Sequence, residues 1–424
     1  MLFNKKIDSS LKSMIDDNIY NKYRVLIKYG AIKGSIEKKV KATRGKVLFN
    51  IQSLHCLCAL INKSGIRKII ELPEVKYICL DEITTLCSKN ILHSNGIFID
   101  NTIFSPLKDK TISGDGIGIG VIDSGVYPHI NLATPSNKVI GFIDLINNLN
   151  YPYDDNGHGT FISGILCGDG KDKKTKQQGI AINSHIVMIK AFNRFGKGYV
   201  SSTLYALEKL FELRDEYNLR TICAPFQTST FNKYILNLYD ELFFKFKENN
   251  IIVVVPSGNN ECTEDSITGI ALSDKVITIG GLNTIGEYSI SEYSCCGSTK
   301  FLKKPDFVAA SDDIISLNSD TSYVSELDGE KLYPHALTNS YTIKSGTSIA
   351  CAFISGLCAL LFEVNPNFTF DDIYTLLKIN SVMINDMKYK QGNGYINVGK
   401  LINTDFNNLK LPSNKSSKKN RHSH

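Results

Sequence analysis

Acyl transfer at a peptide carbonyl needs a nucleophile, a base within hydrogen-bond reach of it, a carboxylate that orients the base, and a donor facing the developing oxyanion. Four separate segments of this 424-residue chain offer those groups: Asp123 in VIDSG, His158 in DDNGHGTFISG, Asn259 in PSGNN and Ser348 in SGTSIACAFISG. Asp123 ends an apolar run, and a carboxylate at the carboxyl end of a parallel strand stands where open α/β sheets place their sites. Gly157 and Gly159 flank His158 and let the chain turn tightly into a helix expected to begin near Thr160. Ser348 follows the turn Ser345-Gly346-Thr347 and opens a run of small and apolar residues at helical spacing, so its hydroxyl would meet the positive end of a helix. Asn259 follows a β-branched run and carries a side-chain amide. Each residue alone also has a plainer reading: an Asp opening a turn, a satisfied histidine beside solvated Asp154 and Asp155, a helix cap made by Thr347 or Ser348, and a turn asparagine.

The elements that must position these groups are legible as alternating patterns. GIGIGVID at 116–123, HIVMIKAF at 185–192, RTICAPF at 220–226, IIVVVPSGN at 251–259 and KVITIGG at 275–281 read as buried strands. STLYALEKLFELRDEY and NKYILNLYDELFFKFKEN read as the helices between them. The expected class is therefore α/β, a doubly wound and mainly parallel sheet. Ahead of it, YRVLIKYG from Tyr23, KVLFNI at 46–51, a helical LHCLCALINKSG and VKYICLDE at 75–82 form a small α+β unit. The expected boundaries are an extension at 1–21, this unit at 22–90, the large domain at 91–405 and a basic, disordered tail at 406–424.

Composition narrows the field. Lys and Arg number 48 against 42 Asp and Glu, a mild and dispersed excess that does not suggest a nucleic-acid partner. Asp8, Asp16 and Asp17 interrupt the N-terminal segment, so no signal peptide is expected, and no stretch approaches the ~18 apolar residues of a membrane span. Eleven cysteines, several within apolar runs (Cys56, Cys58, Cys351, Cys358), read as reduced core residues of a cytoplasmic protein rather than a disulfide framework. Metal binding at Cys295 and Cys296 or at the C-x-C of 56–58 lacks a second ligand pair. The glycines of GDGIGIG at 114–120 precede a strand, whereas a phosphate loop must follow one, which sets aside nucleotide binding.

Taken together, the four segments resemble the subtilisin family of serine peptidases over roughly residues 110–400. VIDSG, NGHGT, SGN and SGTSIA follow the family's order of Asp, His, Asn and Ser, with separations of 35 residues from Asp123 to His158 and 190 from His158 to Ser348. QGIAINSHIVMIKAF, KVITIGG and KPDFVAASDDIISL are similar to stretches that recur between those motifs. The resemblance implies a Ser-His-Asp endopeptidase with Asn259 in the oxyanion hole and a peptide substrate. Gly196, Lys197 and Gly198 would be its substrate-pairing edge strand. The N-terminal unit resembles the family's ferredoxin-like prodomain, which implies a zymogen whose own prodomain is a partner, cut somewhere between Ile83 and Ser94.

The chain departs from the family where APFQTS at 224–229 replaces Ser-Leu-Gly-Gly along the specificity pocket. Phe226 and Gln227 stand there in place of small residues that let a substrate backbone approach. Ala352-Phe353, Ile182 and Ala310 occupy positions where prolines, or Pro-His, are usual. These changes support the competing expectation of a catalytically silent binding protein on the same fold. No cofactor is firmly implied; calcium stays open, since GDGKDKKTKQQ at 168–178 is basic for such a site.

Overall fold

The computed structural model describes residues 6–30, 33–87, 112–170, 178–299, 304–402 and 404. The tail at 406–424, most of the stretch between 83 and 115, and the centre of the basic loop at 168–178 lie outside those residues.

The N-terminal unit contains helix α1 (Ser9–Asp16), strand β1 (Tyr23–Tyr29), helix α2 (Gly34–Ala42), strands β2 (Lys46–Ile51) and β3 (Cys56–Ile61), helix α3 (Lys63–Ile70) and strand β4 (Val75–Leu80). Its four strands pair antiparallel in the order β2-β3-β1-β4. The run CLCALI, expected to be helical, is instead the strand β3. Lying between β1 and β2, it is buried on both faces and so lacks the alternation that marks a half-buried strand. Residues 9–16 are not a separate extension either, because Leu11 and Ile15 of α1 pack with Val25, Ile27, Leu57, Val40 and Ile66 in one core. Asp8 caps α1 by accepting from the backbone N–H of Ser10 and Leu11.

After strand β5 (Ile83–Leu86), the large unit runs through β6 (Gly118–Asp123), β7 (Val139–Asp144), helix α4 (His158–Cys167), β8 (His185–Lys190), β9 (Lys197–Tyr199), helix α5 (Val200–Glu212), β10 (Leu219–Cys223) and β11 (Phe226–Thr228). Helix α6 (Lys233–Glu248), β12 (Ile252–Pro256), β13 (Ile277–Asn283), β14 (Phe307–Ala310), helices α7 (Thr347–Val364) and α8 (Phe370–Ile379), and the short strands β15 (Ser381–Val382) and β16 (Tyr395–Ile396) complete it. The central sheet has the order β15-β16-β14-β13-β12-β10-β6-β8-β7, parallel except where β15 meets β16, and the short strand Ser289–Ile290 pairs antiparallel with β13 beside this path. Helices α4, α7 and α8 bury one face of it, and α5 and α6 the other, which is the doubly wound class read from the sequence. The order turns at β6, so a crevice opens at the carboxyl end of β6, where Asp123 sits.

The two units dock through the second face of the N-terminal sheet. Leu26, Cys56, Cys58 and Cys79 join Leu204, Leu207, Tyr239 and Phe243 of α5 and α6 in one apolar cluster. Each unit also caps a helix of the other. Asp81 accepts from the Ser201 backbone N–H at 2.8 Å and from its hydroxyl at 2.6 Å, closing the first turn of α5. Glu208 of α5 accepts from the backbone N–H groups of Gln52 and Ser53 at 3.2 and 2.6 Å. Both contacts place a carboxylate on the positive end of a helical turn.

Two expectations from composition need correction. Cys262 and Cys296 are joined by a disulfide that closes a separation of 34 residues, while the other nine cysteines are free and buried. Sequence burial patterns could not find this pair, because the two residues meet only where the loop after β12 folds against the segment before β14. Helix α7 is, by length and composition, long and apolar enough to cross a bilayer, but 89% of it is buried inside the protein. Gly356, which breaks nothing in the helix, keeps that apolar run continuous where it presses on Ile180.

Candidate active site

Asp123, His158 and Ser348 arrive from three elements and meet. Asp123 is the last residue of β6, His158 the first of α4, and Ser348 the second of α7. His158 Nδ1 lies 2.8 Å from both carboxylate oxygens of Asp123, and His158 Nε2 lies 3.0 Å from Ser348 Oγ. An N–H on Nδ1 donating to Asp123 leaves Nε2 as the acceptor that faces the serine. The Asp123 carboxylate is further held by the Ser124 backbone N–H at 2.6 Å.

His158 is positioned by the turn that precedes it. Helix α4 begins at His158 itself, two residues earlier than expected, because Gly157 adopts φ +84° and reverses the chain directly before the ring. Asp154, expected to be solvated, is fully buried and organises this turn. One of its oxygens accepts from Ser124 Oγ at 2.8 Å and from the Gly157 N–H at 2.8 Å, and the other from Thr160 N–H at 2.8 Å and Thr160 Oγ1 at 2.6 Å. Asp155 pairs with the fully buried Lys190 at 2.5 Å. Gly159 lets the base approach the acid: a Cβ there would sit 2.0 Å from the Gly125 carbonyl oxygen and 3.1 Å from Asp123 Cβ.

Asn259 presents one half of its amide and commits the other. Its Oδ1 accepts from Thr347 N–H at 2.9 Å and Thr347 Oγ1 at 2.7 Å, while its Nδ2 is buried with no partner among the described residues. A buried donor left unpaired costs about 1–3 kcal/mol. It marks a place prepared for an acceptor that is absent from the resting arrangement.

The sequence did not disclose what lies against this centre. Strand β5 inserts between β9 and β11, antiparallel to both. Thr84 lies opposite Gly198 and Thr228, Thr85 opposite Lys197 and Gln227, and the Leu86 N–H donates to the Gly196 carbonyl at 3.0 Å. Gly196, Lys197 and Gly198 therefore form one wall of a strand-binding cleft, and Phe226 and Gln227 the other. The next residue, Cys87, donates its N–H to the Pro225 carbonyl at 3.4 Å, and its own carbonyl oxygen accepts from Ser348 Oγ. The Cys87 thiol is 1% exposed; burial, and then the neighbouring Cys295, hold it well above the ordinary range. Behind Ser348, burial lowers Lys344, while the carboxylates of Asp154 and Asp123 oppose that shift.

Phe226 does not obstruct the backbone as its bulk suggested. Its ring turns away from the cleft, fully buried, 5.4 Å from the ring of Phe192, and β11 still pairs with β5. Gln227 is the change that faces the cleft. Among the described residues no three His, Cys, Asp or Glu side chains cluster as a metal ion would need.

A doubly wound sheet bearing a Ser-His-Asp arrangement at its switch point is the architecture of a serine hydrolase. Residues 114–396 match the model of the subtilase family, Peptidase_S8, and the chain belongs to that family of subtilisin-like serine endopeptidases. It is 29% identical over 370 residues to serine protease AprX of Bacillus subtilis, covering 81% of this chain and 78% of that protein. It is 23% identical over 288 residues to subtilisin DY of Bacillus licheniformis, covering 67% of this chain and 90% of that protein. Among solved structures, fervidolysin from Fervidobacterium pennivorans, described as a keratinolytic enzyme related to subtilisin, superposes with a TM-score of 0.68 at 17% identity, over 93% of this chain and 62% of that one.

Proposed function

We propose that the chain is a self-processing zymogen: a serine endopeptidase whose N-terminal unit is a prodomain, and which cuts its own Cys87–Ser88 bond. The observation that carries this reading is the contact of Ser348 Oγ with the Cys87 carbonyl while β5 lies in the cleft as a substrate strand would. Ser348 Oγ attacks the Cys87 carbonyl carbon as His158 Nε2 takes its proton. Asp123 holds the imidazole in the Nδ1–H tautomer and stabilises the imidazolium. The Cys87 carbonyl oxygen, now an anion, turns to Asn259 Nδ2 and the Ser348 backbone N–H. His158 then returns the proton to the amine of Ser88, which leaves, and water releases Cys87 from the acyl-enzyme by the same steps in reverse.

The prodomain reading also accounts for the reciprocal caps at Asp81 and Glu208, which hold the inhibitor in place after the cut and keep β5 in the cleft. Protein or peptide chains presented in extended form are the substrates of the released enzyme. The test is Ser348→Ala. That variant is expected to remain a single chain, unlabelled by a fluorophosphonate probe, while the parent chain yields a fragment ending at Cys87. Self-cleavage of the variant at the parent's rate would refute the assignment.

A further inference from the structure

Strand β5 displays how the cleft reads a side chain at each position. Ile83 is 56% exposed, whereas Thr84 and Cys87 are each 1% exposed. The cleft thus encloses the side chain next to the scissile carbonyl and the one three residues before it. Thr84 faces the apolar side of the three-stranded sheet; Cys87 points at the APFQTS wall.

Beyond Cβ, Cys87 already meets that wall. Its Sγ donates to Gln227 Oε1 at 3.5 Å. That same oxygen accepts from the Asn259 N–H at 3.1 Å, so the Gln227 side chain is pinned across the pocket rather than free to swing aside. The opposite wall is Gly258, held at φ +114°, and a Cβ placed there would fall 2.9 Å from Cys295 Sγ and 3.0 Å from Gln227 Oε1. The amide oxygen and the Cys295 sulfur therefore converge on the floor between Gly258 and β11. Cys295 is itself fixed by donating its N–H to the Gly258 carbonyl at 3.1 Å.

We propose that Gln227 and Cys295 close this pocket to all but small side chains, so that the enzyme cleaves after cysteine, serine, alanine or glycine and rejects leucine and aromatic residues. This rests on the serine-peptidase reading above and adds to it the class of bond that is cut. A leucine or phenylalanine at this position must displace the Gln227 amide and break its Asn259 contact, which couples the rejection to the oxyanion donor. Enlarging the occupant of a filled pocket typically slows reaction about tenfold to a hundredfold.

The experiment varies position 87 in the full-length chain. Cys87→Ala and Cys87→Ser are expected to self-cleave within a fewfold of the parent, and Cys87→Phe about a hundredfold more slowly. Adding Gln227→Gly to Cys87→Phe is expected to recover at least a tenth of the parent rate, which a folding defect elsewhere would not allow. If Cys87→Phe does not fold in either background, the self-processed parent is assayed on Thr-Thr-Leu-X anilides. Preference for Ala, Ser and Cys over Leu and Phe at X supports the proposal; equal or better cleavage after Phe overturns it, as does self-cleavage of Cys87→Phe at the parent rate. A parent chain that stays whole and takes no fluorophosphonate label overturns the peptidase reading instead, and this proposal with it. A parent that is labelled yet uncut after Cys87 overturns self-processing at that bond and the pocket assignment with it, and leaves the peptidase reading standing.

Discussion

On the proposed reading of the N-terminal unit as an inhibitor, removing one carboxylate should loosen it without touching the reacting groups. Asp81 is 6% exposed and serves three donors besides the Cys58 thiol: Ser201 N–H, Ser201 Oγ, and Arg24 Nε at 2.5 Å. In Asp81→Ala, loss of the cap on α5 costs about 0.5–2 kcal/mol. Arg24 also loses its partner. Its side chain is 23% exposed and lies 3.8 Å from the Tyr199 ring, so water relieves part of the loss, and about 1–2 kcal/mol is a fair share between the surface and buried limits. The total is about 1.5–4 kcal/mol, a factor of roughly ten to several hundred at 1.4 kcal/mol per decade. Because Ser201 lies across the interface from Asp81, the capping share should appear as faster departure of the cleaved N-terminal fragment, and the Arg24 share, which lies within the N-terminal unit, as a loss of that unit's own stability. The assay follows peptidase activity after self-cleavage, since activity can begin only when β5 leaves the cleft. Ser201→Ala, which keeps the backbone N–H contact, should accelerate release about tenfold at most. Release from Asp81→Ala within threefold of the parent would refute the capping argument.

Other outcomes follow from single contacts. Gly159→Ala should abolish self-cleavage, because its Cβ would meet the Gly125 carbonyl oxygen at 2.0 Å; a processed, soluble variant would contradict the close approach. Thiol titration of the protein unfolded without reductant should count nine free cysteines and then eleven after reduction; eleven at the outset would remove the Cys262–Cys296 bond. Burial raises the Cys56 thiol from 9.0 to about 12 against the opposing charge of Lys28, and burial with nearby Asp8 raises the Tyr77 phenol from 10.0 to about 12. Since both values are raised in the folded state, their contribution is complete below pH 9 and is lost as pH climbs toward 12, when the unfolded chain ionises first. The urea midpoint of the N-terminal unit in Ser348→Ala should fall steadily over that range, and a flat profile would disprove it.

The site was legible wherever chemistry needs a rare residue in a fixed local frame. Asp123 at a strand end, His158 between glycines and Ser348 ahead of a helix are short-range patterns, and the structure brings the three into hydrogen-bonding contact. Longer-range facts were hidden. Asp154 resembled any solvated turn aspartate until the donors of Ser124, Asn156, Gly157 and Thr160 met it, and Cys295 resembled any core cysteine until Gly258 and Gln227 met it. The ITTL segment was too short to announce a strand, because its pairing depends wholly on edges supplied more than a hundred residues later. CLCALI misled for the converse reason: full burial on both faces erases the alternation that separates strand from helix. The fold class survived these local errors, since it depends on the succession of apolar runs rather than on any one boundary.

Helix α7 gives the enzyme an uneven mechanical character. Its first turn carries Ser348, and its next four turns are sunk in the largest apolar cluster among the described residues, against β10, β12 and β13. Ser348, fully buried at the head of that helix, is held by the same packing. The strands that flank β5 are only three residues long, and β9 has two of its three residues exposed, so they belong to the parts of a protein that open more easily. On heating, therefore, affinity for extended chains should fade gradually while the reacting serine keeps its full potency, until both vanish together at the global transition.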